Sequence, residues 1–320
     1  MGFSPAAVLA GGGKAAEWVP HVRQDGRRFI VTGANRGIGY ATAAGLAALG
    51  AQVVLAGHEG SDAFGDAMER LVLETGCARD QLSYMPLDLR SLDSVRAFAA
   101  AWALQPDPAL HGLINNAGIA GAPGLSPDGF ELCFQINYLS MLLLTRLLLR
   151  HLAPARDAAG RAVPARVVCV SSSAHLFTLG LPTDERYLRT PGTGFFSLRY
   201  GESKLCVNSF VRQLARRLRA EGRDDIEAFA VHPGSTASGF WHSFPAWAQR
   251  CIASVAQDPA RAARTSLFCA TEPGLASGGY YADCAPAAAS FWLGAAARAD
   301  LLWTKSCAWA GLSPNSLLKQ

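Results

Sequence analysis

Lysine is almost missing from this chain. Four lysines (Lys14, Lys204, Lys305 and Lys319) stand among 29 basic residues, so arginine is the default cation and each lysine needs a reason. Charge of either sign is scarce too. Only 17 % of residues are charged against 50 % hydrophobic, which excludes a disordered, solvating chain and suits a large packed core. The net charge of +4 is dispersed. The densest basic cluster, Arg216-Arg217-Leu218-Arg219, is followed by Glu221, Asp224 and Asp225, as on a solvated helix end, and no nucleic-acid partner is expected. CxxC and Cys/His ligand spacings are lacking, so no metal is expected. The eight cysteines sit singly, several in apolar runs such as Val168-Cys169-Val170. They read as buried thiols in a reducing compartment, hence a cytoplasmic or membrane-peripheral protein. With no repeat, linker or low-complexity segment, one domain is the economical answer.

Membrane and export signals are equally thin. Met1 to Gly13 is small and mildly apolar, too short to span a bilayer, and lacks a basic leader. Ala6 stands where a myristoylation site has Ser or Thr. Residues 1–27 therefore read as an N-terminal arm, either packed or disordered. The longest apolar helix candidate, Glu131 to Leu152, carries Arg146 and Arg150, which argue against a span. It belongs in the core or at a homodimer interface.

What is present begins at Arg28. Phe29-Ile30-Val31 is a buried-strand run that leads into Thr32-Gly33-Ala34-Asn35-Arg36-Gly37-Ile38-Gly39. A helix from Tyr40 to Leu49 and a strand from Gln52 to Leu55 follow. Glycine is needed in such a loop because only a hydrogen side chain lets backbone amides approach a pyrophosphate at a helix N-terminus. Between a strand and a helix, the trio predicts a dinucleotide site. After the second strand the chain reads Ala56-Gly57-His58-Glu59, with no immediate carboxylate for a ribose, although Glu59, one residue late, could still reach one and favour NAD(H). Arg36 is placed to pair with a 2′-phosphate, so NADP(H) is favoured over NAD(H). Further strands end in Asp88-Leu89, with an acid suited to an adenine edge, in Asn115-Asn116-Ala117-Gly118, in Ser171-Ser172-Ser173, and in His232-Pro233-Gly234. Six strands with intervening helices give an α/β, Rossmann-type, doubly wound parallel sheet with helices on both faces.

Tyr200 and Lys204 lie four residues apart inside a predicted helix from Phe195 to Leu218, one turn from each other on one face. A phenol titrates near ~10. A cation beside it favours the phenolate and brings it towards the range useful for general acid/base work. An ordinary helix with a half-buried Tyr and a solvated Lys is the alternative, as a hydrogen-bonded core residue is for Asn137.

In order and approximate spacing, Thr32-Gly33-x-x-x-Gly37-x-Gly39, Asn115-Asn116-Ala117-Gly118, Asn137, Ser172, Tyr200-x-x-x-Lys204 and His232-Pro233-Gly234 resemble a short-chain dehydrogenase/reductase over residues 28–310. The resemblance implies a catalytic set of Asn137, Ser172, Tyr200 and Lys204, with Ser173 the runner-up to Ser172. It implies hydride transfer between nicotinamide and a carbinol or carbonyl carbon. Cofactor contacts would come from Thr32, Gly33, Asn35, Arg36, Gly37, Ile38, Gly39, His58, Asp88, Leu89, Asn116, Ala117, Gly118, Tyr200, Lys204, Pro233 and Gly234. Lys204 would depress the Tyr200 pKa and hold the nicotinamide ribose.

The long stretch between Ser172 and Tyr200 is similar to the retinol dehydrogenase and WW-domain oxidoreductase branch, and so is Gly-Ile-Gly-Tyr at the cofactor loop. The C-terminal Leu302-Trp303-Thr304-Lys305-Ser306-Cys307 is similar to X-linked dehydrogenase/reductases that act on polyprenol-type lipids. A substrate lid is expected at about 235–255, where Phe240, Trp241, Phe244 and Trp247 suit a long apolar molecule. Residues 311–320 form a tail. The implied substrate is a small lipophilic alcohol or carbonyl, retinoid-, polyprenol- or steroid-like, with peripheral membrane contact through the lid and the Ala285 to Trp303 region. The competing reading is a cofactor-binding scaffold that acts through protein contacts.

Overall fold

The computed structural model describes residues 18–157, 159–192, 198–234 and 258–318. Eight strands form one sheet: β1 Arg28–Thr32, β2 Gln52–Gly57, β3 Leu82–Pro86, β4 Gly112–Asn115, β7 Ala165–Val170, β8 Ile226–His232, β9 Tyr280–Ala282 and β10 Ala285–Pro286. Between β4 and β7 in the chain, β5 Ala155–Arg156 and β6 Ala162–Val163 make a small separate hairpin. The spatial order is β10-β9-β8-β7-β4-β1-β2-β3. Every neighbouring pair is parallel except β9 with β10. The chain winds outwards one way through β2 and β3 and the other way through β4 and β7. The switch point thus falls between β1 and β4, where such sheets open a crevice at their carboxyl ends.

The sheet is buried on both faces, and its central strands accordingly read as continuous apolar runs rather than alternating ones. β4 and β7 are buried along their whole length. On one face lie the Gly37–Ala48, Ser61–Thr75 and Pro259–Thr271 helices. The Leu92–Ala103 and Arg199–Ala220 helices cover the other face, with Ala296–Trp309 packed outside them. Local chemistry sets the ends. The Ser91 side chain caps Leu92–Ala103 by accepting from Ser94 N, and Asp258 caps Pro259–Thr271, where proline occupies the first turn. Gly76 closes Ser61–Thr75 in the left-handed region at φ 69°.

The main sheet has two strands beyond the six read from sequence, besides the β5–β6 hairpin. β9 and β10 are only three and two residues long, and such short runs carry no periodicity of their own. β9 forms along the edge of β8, and β10 along the edge of β9.

The apolar segment Leu132–His151 is a continuous 20-residue helix of mean hydropathy 1.5, and 89 % of its apolar window is buried inside this chain. It is a core helix. Its apolar residues face neighbours all round, so it offers no free stripe for a second subunit. A π-helical turn at Gln135–Leu139 interrupts its regular winding.

Both ends of the described chain are tied down. Trp18 donates to Glu272 at 3.1 Å and packs edge-on against Phe268, while the Gln24 amide donates to Leu49 O. At the other end, the buried Arg146 guanidinium donates to the carbonyls of Ser313, Ser316 and Leu317 at 3.0, 2.6 and 3.2 Å. It also lies over the Trp303 ring. All seven cysteines among the described residues are free and buried. The expected lid at 235–255 falls outside the described residues, as does Cys251.

Candidate active site

A cleft of about 710 Å³ opens at the carboxyl ends of β1, β2, β4, β7 and β8. That is within the ~300–1,000 Å³ range of small-molecule sites. Its floor is the turn after β1. Gly33 takes φ +65° and its amide donates to Ala56 O at 2.7 Å. Arg36 is extended, and the Gly37–Ala48 helix starts with no side-chain cap. Its first amides therefore remain available at the positive end of the helix. At Gly39, a Cβ would overlap the Gly33 carbonyl oxygen and the Asn116 side-chain amide. Glycine is required there by contact as well as by flexibility.

The Asn116-Ala117 turn is pinned to β1 through one hydroxyl. Thr32 Oγ1 accepts from the amides of Asn116 and Ala117 at 3.0 and 2.9 Å, and the Asn116 side chain donates to Thr32 O at 2.9 Å. Thr32 and Asn116 thus build the crevice as well as line it.

Beyond β2, Arg36 pairs with Glu59 at 3.2 Å, and His58 Nδ1 lies 3.7 Å from the same carboxylate. Asp88 is clamped by Arg90, whose Nη2 reaches Oδ2 at 2.8 Å. Burial tends to raise the Asp88 pKa, but the Arg90 guanidinium and amide outweigh it and leave the carboxyl below its usual range.

The reactive side chains converge on the opposite wall. Ser172 follows β7 in an extended conformation, and its Oγ accepts from Ala174 N at 3.2 Å and hydrogen-bonds Tyr200. Lys204, one turn on, is buried and donates to Val170 O at 2.8 Å. Its Nζ lies 5.7 Å from the centre of the Tyr200 ring. Asn137 sits on the π-helical turn. Its Oδ1 accepts from Ile119 N at 2.8 Å, and its Nδ2 donates to Ile119 O and Ser203 Oγ at 2.9 Å each.

In the cofactor-free cleft, desolvation pushes the Tyr200 phenol above its ordinary value, and the Ser172 hydrogen bond opposes it. Lys204 is itself pushed down to about 8 by burial, and its ammonium is turned to the Val170 carbonyl. The spacing of the two residues was legible, but the desolvation that governs both is tertiary.

Of the residues named from sequence, all but Gly37 and Asn137 line the cleft. Gly37 supplies a positive φ of +58° to the turn, and Asn137 lies behind the wall. Ala56, Gly57, Ile119, Ala120, Leu132, Ile136, Val170 and Phe177 line it unforeseen. Gly57 simply ends a strand whose limit was drawn two residues short, and Val170 is the last residue of its strand. The apolar members carry no motif that would have flagged them.

A family model for short chain dehydrogenases matches residues 27–181. The sequence is 37 % identical over 302 residues to human retinol dehydrogenase 11, covering 91 % of this chain and 88 % of the relative. The chain belongs to the short-chain dehydrogenase/reductase family. Its fold is similar to that of an uncharacterized protein from Mycobacterium paratuberculosis (TM-score 0.69, 28 % identity, 94 % of this chain and 98 % of the other). It is also similar to the Pseudomonas aeruginosa RhlG/NADP active-site complex (TM-score 0.62, 26 % identity, 82 % and 96 %).

As a member of this family the protein is an NAD(P)-dependent dehydrogenase/reductase. Its residues fit that cofactor. The side-chain-free approach at Gly33 and Gly39, the uncapped helix start and the buried Lys204 all line this one cleft and suit phosphates and ribose.

Proposed function

We propose that this short-chain dehydrogenase/reductase interconverts a lipophilic alcohol and its carbonyl compound, using NADP(H) in preference to NAD(H). The observation that carries the reading is the meeting of Ser172, Tyr200 and Lys204 on the same cleft as the glycine-rich turn. Bound nicotinamide supplies or accepts the hydride. Tyr200 exchanges the proton of the substrate oxygen, and Ser172 Oγ, already bonded to the phenol, orients that oxygen. Lys204 places a cation beneath the site, and Asn137 fixes the Ile119 backbone and Ser203 beside it.

Substrate class is supported by the apolar residues of the cleft lining, Ile119, Leu132, Ile136 and Phe177 among them. The name of the relative, retinol dehydrogenase 11, points the same way. Exposed Phe177 and Leu179 suit delivery from an intracellular membrane surface, which fractionation with and without detergent tests. NADP(H) is supported by Arg36, His58 and Arg90 around the end of β2, where the nearest acid after the strand, Glu59, is engaged by Arg36.

Titration with NADPH and NADH, followed by nicotinamide fluorescence, tests the cofactor. Tighter NADPH is expected, and equal or tighter NADH would refute the preference. Turnover of all-trans-retinal and decanal tests the substrate class. Tyr200→Phe should lose about 100-fold or more in turnover with cofactor affinity kept. Full activity in that variant would remove Tyr200 from the reaction.

A further inference from the structure

Behind the wall that carries Ser172, the His175 ring is fully buried and ties together segments 115 residues apart. Its Nδ1 lies 2.5 Å from the Ser172 carbonyl oxygen and its Nε2 lies 3.2 Å from the Ser290 amide. A backbone amide only donates, so Nε2 accepts, and the ring proton sits on Nδ1, where the Ser172 carbonyl needs it. One neutral tautomer satisfies both partners, and burial disfavours the protonated ring that would break the Ser290 bond. Tyr280 packs edge-on against the ring at 4.9 Å. The other titratable neighbour, His232, is buried, and neither of its ring nitrogens finds a hydrogen-bond partner among the described residues.

The location gives this bridge its consequence. The β7–β8 ladder ends at Ser171, whose amide donates to Val231 O at 2.7 Å. Ser172 is therefore the first residue past the sheet, and its carbonyl has no strand partner. Its peptide plane is set instead by the His175 ring and, at 3.3 Å, by the His175 amide. Fixing that plane fixes the direction in which the Cα–Cβ bond presents Oγ to the cleft.

We infer that His175 is a positioning residue, whose imidazole holds the Ser172 carbonyl against the Ser290 segment and so aims Ser172 Oγ at the substrate oxygen. This rests on the role proposed above for Ser172.

Two near-isosteric substitutions separate the two bonds. In His175→Asn the side-chain amide falls near the Nδ1 position and still donates to Ser172. In His175→Gln the side-chain oxygen reaches towards Nε2 and serves Ser290 alone. With NADPH and all-trans-retinal, H175Q should lower kcat about 10-fold while KM and NADPH affinity change less than about 2-fold. H175N should stay within about 3-fold of the parent, because the conservative donor rescues the geometry. Wild-type kcat in H175Q would overturn the inference. So would equal losses in both variants that track their Tm, since that is the signature of a merely structural histidine. Ser172→Ala in the same assay isolates the underlying reading: full turnover there sinks the role of Ser172. Exchange of the Ala174 amide, expected about 10-fold faster in H175Q than in H175N, still decides whether His175 holds the turn.

Discussion

Replacing Lys204 by methionine should make the cofactor-free protein more stable while abolishing its turnover. The buried ammonium titrates at about 8 instead of its ordinary 10.5, with desolvation as the main cause. At ~1.4 kcal/mol per pH unit, that depression amounts to roughly 3 kcal/mol of destabilisation when the group is charged in both states. Methionine fills similar volume without the charge, but it strips the Val170 carbonyl of its donor, a loss of about 1 kcal/mol. A net gain of about 2 kcal/mol is expected. The sign with pH follows from the lowered value. Below about 8 the full penalty is present; it fades as pH rises from there towards 10.5 and the folded state sheds its proton first. Urea unfolding of wild type and K204M at pH 6.5 and at pH 10 measures this. The variant should lead clearly at 6.5, and the gap should narrow at 10. A variant less stable than wild type at pH 6.5 would refute the reasoning, because it would mean that the Val170 bond outweighs desolvation.

Gly39→Ala should weaken NADPH binding at least about 10-fold and cost about 1–3 kcal/mol of stability, since the new methyl must displace backbone at Gly33 and the Asn116 amide. Unchanged affinity by nicotinamide fluorescence would show that this turn does not cradle the cofactor. Truncation after Leu312 removes the three carbonyls that satisfy Arg146 and should cost about 3 kcal/mol in chemical unfolding. Arg146→Met in the truncated chain should recover part of that loss; no recovery would mean that the tail acts through packing alone.

The site was legible where its chemistry is local. The glycines of the turn, the Asn116-Ala117 corner and the Tyr200–Lys204 spacing are written in a few adjacent residues each, because a tight turn or one helical repeat fixes their geometry. The Ser61–Thr75 helix was legible but passed over: Phe64, Ala67, Met68 and Leu71 follow a helical stripe, and Gly60 and Gly76 bracket it. Other features could not be read from order alone. The Arg36–Glu59 pair joins two residues that were weighed separately for opposite cofactors. The values of Tyr200 and Lys204 depend on what the fold packs around them. His175 stood in a stretch noted for its length and family likeness, and its partner Ser290 lies 115 residues further along the chain.

The π-helical turn at Gln135–Leu139 changes how this helix tolerates alteration. A π turn is one residue wider than an α turn, so everything after it is rotated by about 100° relative to an uninterrupted helix. In an amphipathic helix that rotation would throw a polar stripe into the core. Here all nine residues from Ser140 to Leu148 are buried, and the polar ones among them have fixed partners: Ser140 donates to Leu89 O, and Arg146 to the Ser313, Ser316 and Leu317 carbonyls. The extra residue thus aims Asn137 at the Ile119 backbone and Ser203 and sets the register that brings Arg146 to the C-terminal segment. Deleting it would turn the buried Arg146 away from those carbonyls as well as misaim the asparagine.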